Sequence, residues 1–119
     1  MNRLEAIRVI RSLLAEDDIV LSTTGMITRE LNFVQDRPGN FYMIGSMGLT
    51  SSVGLGLAIL NPSIKTFILE GDGSALMSLG TLPLIANEAP DNLVHIILDN
   101  EAYESTGDQP TISSAVSLV

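Results

Sequence analysis

A chain of 119 residues is long enough for one compact domain and not two. Its 45% hydrophobic and 17% charged residues suit a domain whose parallel strands are apolar on both faces. Fourteen Asp and Glu against six Lys and Arg give a formal net charge of −8, which argues against a nucleic-acid backbone as partner, and the lack of cysteine excludes disulfides and thiolate metal sites.

Residues 2–15 carry Leu4, Ile7, Val9, Ile10 and Leu14 near one side at helical spacing, with Asn2 as the cap. Arg3, Glu5, Arg8, Arg11 and Glu16 interrupt that helix, so neither a leader nor a membrane span is expected, and the expectation is a soluble cytoplasmic domain. Ile19–Ser22 is a short apolar strand. Thr23-Thr24-Gly25 follows at its carboxyl end, where open α/β sheets bind ligands, and residues 27–34 read as a second helix with Arg29 near its start.

Pro38-Gly39 marks a turn and residues 41–44 the next strand. The run GSMGLTSSVGLGLAIL from Gly45 to Leu60 reads as a loop and then a helix whose Gly54 and Gly56 let it press on a sheet. Its glycines do not have the G-x-G-x-x-G spacing, and no G-x-S-x-G elbow surrounds Ser51 or Ser52, so a dinucleotide fingerprint and a hydrolase nucleophile are both rejected. Asn61-Pro62 closes the helix.

The stretch from Gly71 to Asn100 organises the rest. A strand over 66–70 runs into Gly71-Asp72-Gly73; Ser78 is the expected cap of a helix reaching about Glu88, with Pro83 near the end of its first turn. A second apolar strand, 93–98, ends at Asp99-Asn100. A right-handed crossover makes the two strands parallel neighbours, which brings Asp72 and Asn100 to one rim as oxygen ligands for a hard divalent cation that bridges to a phosphate. Gly71 and Gly73 permit a tight turn and close approach, and Ser74 begins a run whose N–H groups can meet a phosphate. His95 lies mid-strand and reads as a ring with a satisfied hydrogen bond, not a catalytic base. The polar segment 101–111 is long enough to fold over a ligand, and residues 113–119 are expected to begin a helix.

The Gly71-Asp72-Gly73 turn followed at this interval by Asp99-Asn100 resembles the metal motif of thiamine-diphosphate (ThDP) enzymes, with Asp99 where the family has a first Asn. Thr23-Thr24-Gly25 with Arg29-Glu30-Leu31, Gly45-Ser46-Met47-Gly48, and Ser105-Thr106-Gly107 with Gln109 and Thr111 extend the resemblance over nearly all the chain. These stretches are similar to phosphonopyruvate and sulfopyruvate decarboxylases. The resemblance implies a doubly wound parallel α/β sheet with helices on both faces, the diphosphate-binding domain of such an enzyme, spanning 1–119 as a single domain that further elements would complete.

On the same ground, Asp72, the Asn100 side chain and the Ala102 carbonyl are expected to bind Mg2+. Thr24 and Gly25 are expected to line the cofactor site, Gly71, Gly73 and Ser74 to approach the diphosphate, and Tyr103 to pack on it or to anchor its own loop. The Gly45 carbonyl, next to Ser46, would accept from the cofactor's 4′-amino group, and Met47 would wedge under the cofactor and hold it bent. The family glutamate that meets N1′ belongs to a pyrimidine-binding domain, and Glu5, Glu16 and Glu70 do not stand in that context. No catalytic residue is therefore assigned here; the resemblance implies an alpha-type partner subunit carrying that domain, and self-association. It implies decarboxylation of a small 2-oxo acid, sulfopyruvate first, with phosphonopyruvate decarboxylation, acetolactate-synthase-like carboligation and a non-catalytic binding module as alternatives. A second substrate anion needs a cation: Arg29 is the nearest candidate, with a surface ion pair as its expected state.

Overall fold

Asn2 opens the first helix through a reciprocal cap. Its side chain accepts the Glu5 N–H at 2.9 Å, and the Glu5 carboxylate accepts the Asn2 N–H at 2.9 Å. In this computed structural model, which describes residues 1–119 throughout, α1 (Arg3–Leu13) leads to β1 (Ile19–Ser22), α2 (Met26–Val34), β2 (Asn40–Tyr42) and α3 (Thr50–Leu60). Next come β3 (Thr66–Gly71), α4 (Asp72–Met77), α5 (Thr81–Glu88) and β4 (Leu93–Leu98). A small antiparallel ribbon, β5 (Ala102–Tyr103) and β6 (Gln109–Pro110), lies near the end of the chain.

The first four strands form one parallel sheet in the order β2-β1-β3-β4. The register sets Ser22 beside Leu69 and Gly71 beside Leu98, so the segments leaving β1, β3 and β4 rise from a common edge. The chain goes outward from β1 to β2 and then crosses back to β3. Strand order thus reverses between β1 and β3, the point at which open α/β sheets leave a crevice.

Side-chain alternation clothes both faces. Val20 and Leu69 pack with Ile7, Leu14, Ile27 and Leu31 in the cluster beneath α1 and α2, and each fully buried Leu or Ile contributes about 1.5–3 kcal/mol. On the opposite face Ile68 meets α3 so closely that a Cβ on Gly54 would fall 2.4 Å from its Cγ1. That contact accounts for Gly54; Gly56, given the same role from sequence, has open space around it.

The amino edge of the sheet is closed by two buried polar side chains. Arg37 donates through Nη2 to the carbonyls of Ala15, Glu16 and Asp18 at 2.9, 3.0 and 3.0 Å, and through Nη1 to Asn40 Oδ1 at 3.0 Å. Asn92 donates to the carbonyls of Ala58, Asn61 and Ile64 at 3.0, 3.0 and 2.8 Å. Backbone acceptors that loops would otherwise leave bare are satisfied this way.

Four expectations need correction. Ser78 caps no helix at its start: it ends α4, its N–H bonding the Ala75 carbonyl at 3.2 Å, and α5 begins only at Thr81. Pro83 is consequently the third residue of α5, inside the first turn, where its missing N–H costs no helical bond. Residues 113–119 form a single 3-10 turn, Ser113–Ala115, and then extend, because Ser113 is drawn into side-chain bonding at the sheet edge. Val9, placed on the packed side of the first helix, is about half exposed, and Ile7 is the residue fully buried there. No helix is long and apolar enough to cross a membrane.

Candidate functional site

Above the carboxyl edge lies a cleft of about 650 Å³, walled by the ends of β1, β3 and β4, the start of α1 and the 102–106 segment. Nine of the residues expected from sequence line it: Thr24, Met47, Gly71, Asp72, Gly73, Ser74, Asn100, Ala102 and Tyr103. Gly25 instead lines an adjoining recess with Arg3, Arg29 and Ser105. Gly45 and Ser46 stand outside both linings, on the exposed loop before α3.

Asp72 and Asn100 follow neighbouring parallel strands at the same edge, yet their surroundings differ. Asp72 is 2% exposed and accepts one side-chain hydrogen bond, on Oδ2 from the Thr111 hydroxyl at 2.5 Å. Asn100 is exposed; its Oδ1 accepts the Ala102 N–H at 3.2 Å and its Nδ2 donates to Glu104 at 3.2 Å. Asp99 acts only as an acceptor, taking the Glu101 N–H at 2.9 Å and the Ser113 hydroxyl at 2.8 Å on one oxygen. Thr111 and Ser113 thereby hold one rim carboxylate each.

Gly73 is required by space. A Cβ there would lie 2.6 Å from Tyr103 Cε1 and 3.6 Å from Met47 Cε, so the absent side chain leaves a notch between an aromatic ring and a thioether. The Ser74 hydroxyl is already committed: it donates to Glu70 Oε1 at 2.6 Å and accepts from Thr23 Oγ1 at 3.0 Å and the Gly48 N–H at 3.1 Å. His95, as expected, has a partner for its ring, Glu70 Oε2 at 2.8 Å from Nε2.

Four carboxylates, Glu30, Asp72, Asp99 and Glu104, line the cleft against one side-chain cation, Arg3. Glu30 grips Arg3 through Nε and Nη2, both at 2.9 Å, and Glu104 takes Nη1. The Glu30 hydrogen bond raises the Arg3 pKa above the already high ordinary value, partial burial opposes it, and Glu104 adds to the rise. Arg29, expected to sit in a surface ion pair, has none.

A family model described as thiamine pyrophosphate enzyme, C-terminal TPP binding domain, matches residues 23–117. The chain belongs to this family. It is 49% identical over 109 residues to sulfopyruvate decarboxylase subunit beta of Methanocaldococcus jannaschii, covering 92% of this chain and 57% of that protein. Against phosphonopyruvate decarboxylase of Streptomyces hygroscopicus it is 54% identical over 99 residues, which is 83% of this chain and 24% of the relative. The fold superposes on an X-ray structure assigned as a thiamin diphosphate-dependent enzyme from Mycobacterium smegmatis with a TM-score of 0.79 at 18% identity, over 97% of this chain and 24% of that one. This TPP-domain chain thus spans between 24% and 57% of the curated relatives just described.

Several residues of the TPP-domain cleft were not found from sequence. Arg3 and Glu30 meet only because α1 and α2 pack together, and Thr111 reaches Asp72 across 39 positions. Glu70 did leave a signal: a carboxylate inside the apolar strand TFILEG is costly to bury without donors, although its partners Ser74 and His95 are known only from the fold.

Proposed function

We propose that this chain is the diphosphate-binding half of a ThDP- and Mg2+-dependent 2-oxo acid decarboxylase, acting on sulfopyruvate with a pyrimidine-domain partner subunit. The observation that carries the reading is the convergence of Asp72 and Asn100 from adjacent parallel strands on one rim, beside the notch at Gly73. The donor set fits a hard cation: a buried carboxylate with an oxygen that has no hydrogen-bond donor, a side-chain amide and the Ala102 carbonyl. The charge balance of the cleft supports the metal as well, because a diphosphate entering among four carboxylates and one guanidinium needs a multivalent cation.

Bound ThDP supplies the carbon nucleophile that adds to a 2-oxo acid and the sink for the electron pair left as carbon dioxide departs. This chain's residues bind and orient. Asp72, Asn100 and Ala102 would hold the metal; Gly71 and the Gly73-Ser74 main chain would meet the diphosphate, Thr24 and Gly25 would line the cofactor site, and Tyr103 would wall it. Met47, on the cleft wall, would pack against the cofactor, and the Gly45 carbonyl with Ser46, on the loop beside the cleft, would be available to accept from its amino group. The N1′ glutamate comes from the partner subunit, and self-association of the pair completes the cleft between domains.

Sulfopyruvate is favoured because the relative of that name is covered over more than half its length and is itself a subunit; phosphonopyruvate is the second reading, supported by the 54% identity to that decarboxylase. Titration of ThDP with and without Mg2+ should show metal-dependent uptake that Asp72→Ala abolishes. The complex with its partner, given each acid in turn, should release carbon dioxide and the matching aldehyde. Metal-independent uptake, or full activity of this chain alone, would refute the proposal.

A further inference from the structure

The loop between β2 and α3 has an unfavourable shape. Ser46 has φ +59° and Gly48 +94°, and apart from a local turn the only hydrogen bond on Gly45–Gly48 runs from the Gly48 N–H to Ser74 Oγ at 3.1 Å. What fixes Ser74 therefore fixes this loop. A hydroxyl has one hydrogen and two acceptor positions, and in Ser74 all three are used: the hydrogen goes to Glu70, and the acceptor positions take Thr23 and Gly48. The direction of the chain is set by Glu70, since a carboxylate only accepts. Glu70 is 0% exposed, and its second oxygen has one partner, His95 Nε2 at 2.8 Å. His95 stands on β4, the strand next to β3, and does not itself touch the loop by any hydrogen bond.

We infer that His95 is a positioning residue: through Glu70 and Ser74 it fixes the Gly45–Gly48 loop, and so sets Met47 at the wall of the cleft. The cofactor consequence rests on the reading of the cleft given above. If the His95 N–H is removed, a fully buried carboxylate keeps a single donor, which is costly. The carboxylate is then free to turn away from Ser74, the Ser74 hydroxyl loses its fixed direction, and the Gly48 N–H loses a steady acceptor. A histidine that only filled space would instead lower stability evenly, with no preference for the Gly45–Gly48 loop.

The test compares His95→Leu, which removes the donor, with His95→Gln, whose amide can donate to Glu70. Amide hydrogen exchange of Gly48 is followed in the full chain without cofactor, and ThDP binding is then measured with Mg2+. Gly48 exchange should rise about tenfold more than that of β1 and β3 amides in His95→Leu and stay within about twofold in His95→Gln. ThDP affinity should fall about fivefold in the first and recover in the second. If His95→Leu does not fold, His95→Asn, too short to reach Glu70, makes the same comparison. Gly48 exchange that rises no more than the strand amides would overturn the relay. Exchange that follows His95 in a chain that takes up no ThDP would leave the relay standing and remove its cofactor role.

Discussion

The two edges of the sheet use polar side chains in opposite ways. At the amino edge Arg37 and Asn92 are buried donors that face backbone carbonyls, and their bonds join the entries of all four strands. At the carboxyl edge the polar groups are chiefly acceptors, Asp72, Asp99, Glu30 and Glu104, and Asp72 Oδ2 is held by Thr111 while its other oxygen has no donor. At the first edge the buried side chains bond to the chain's own carbonyls, although Arg37 Nε and Thr66 Oγ1 are left without partners. The second keeps an excess of carboxylates over its one guanidinium and an Asp72 oxygen without a donor, so stability and binding are separable properties of one sheet.

Substitutions at the two edges should therefore dissociate. Arg37→Met strips donors from buried carbonyls and should cost about 3 kcal/mol in urea unfolding, while ThDP affinity of the folded chain stays within about twofold; a matching fall in affinity would erase the division. Asp72→Ala should do the reverse. Magnesium-dependent affinity should drop at least about 100-fold, about 2.7 kcal/mol, with unfolding free energy changed by less than about 1 kcal/mol, because the freed Thr111 hydroxyl has Ser113 Oγ 3.0 Å away.

Smaller effects sharpen the contrast. Gly73→Ala inserts a Cβ 2.6 Å from the Tyr103 ring; the ribbon should yield, and calorimetry should give about a tenfold weaker ThDP affinity with stability changed by about 1 kcal/mol. Glu104→Gln should change either quantity by no more than about 0.5 kcal/mol, and less in high salt, because the Arg3 pair is partly exposed and Glu30 keeps its bidentate hold. A large effect of Glu104→Gln on metal affinity would show that its bond to Asn100 sets that ligand, and would bring the 102–106 segment into the binding edge.

The strand bounds 19–22 and 93–98 were legible because apolar runs between turn signals leave few alternatives. The two-helix arrangement was not: the sequence offers Ser78 as the cap of one helix reaching Glu88, whereas Ser78 ends α4 and α5 begins at Thr81. Asp72 and Asn100 could be paired from sequence once β3 and β4 were taken as parallel neighbours. Arg3 with Glu104 and Thr111 with Asp72 could not, since nothing local couples residues 101 or 39 positions apart.

By itself the sequence determined the alternation of strands and helices, the family, and which turn carries the metal-type carboxylate, because periodicity and short motifs are local properties of the chain. Only the tertiary structure decided that Ser74 is locked to Glu70 and His95, that Thr111 and Ser113 each hold a rim carboxylate, and that Arg3 alone carries positive side-chain charge into the cleft. Those facts depend on which side chains packing brings within about 3 Å, a distance that no spacing along the chain encodes.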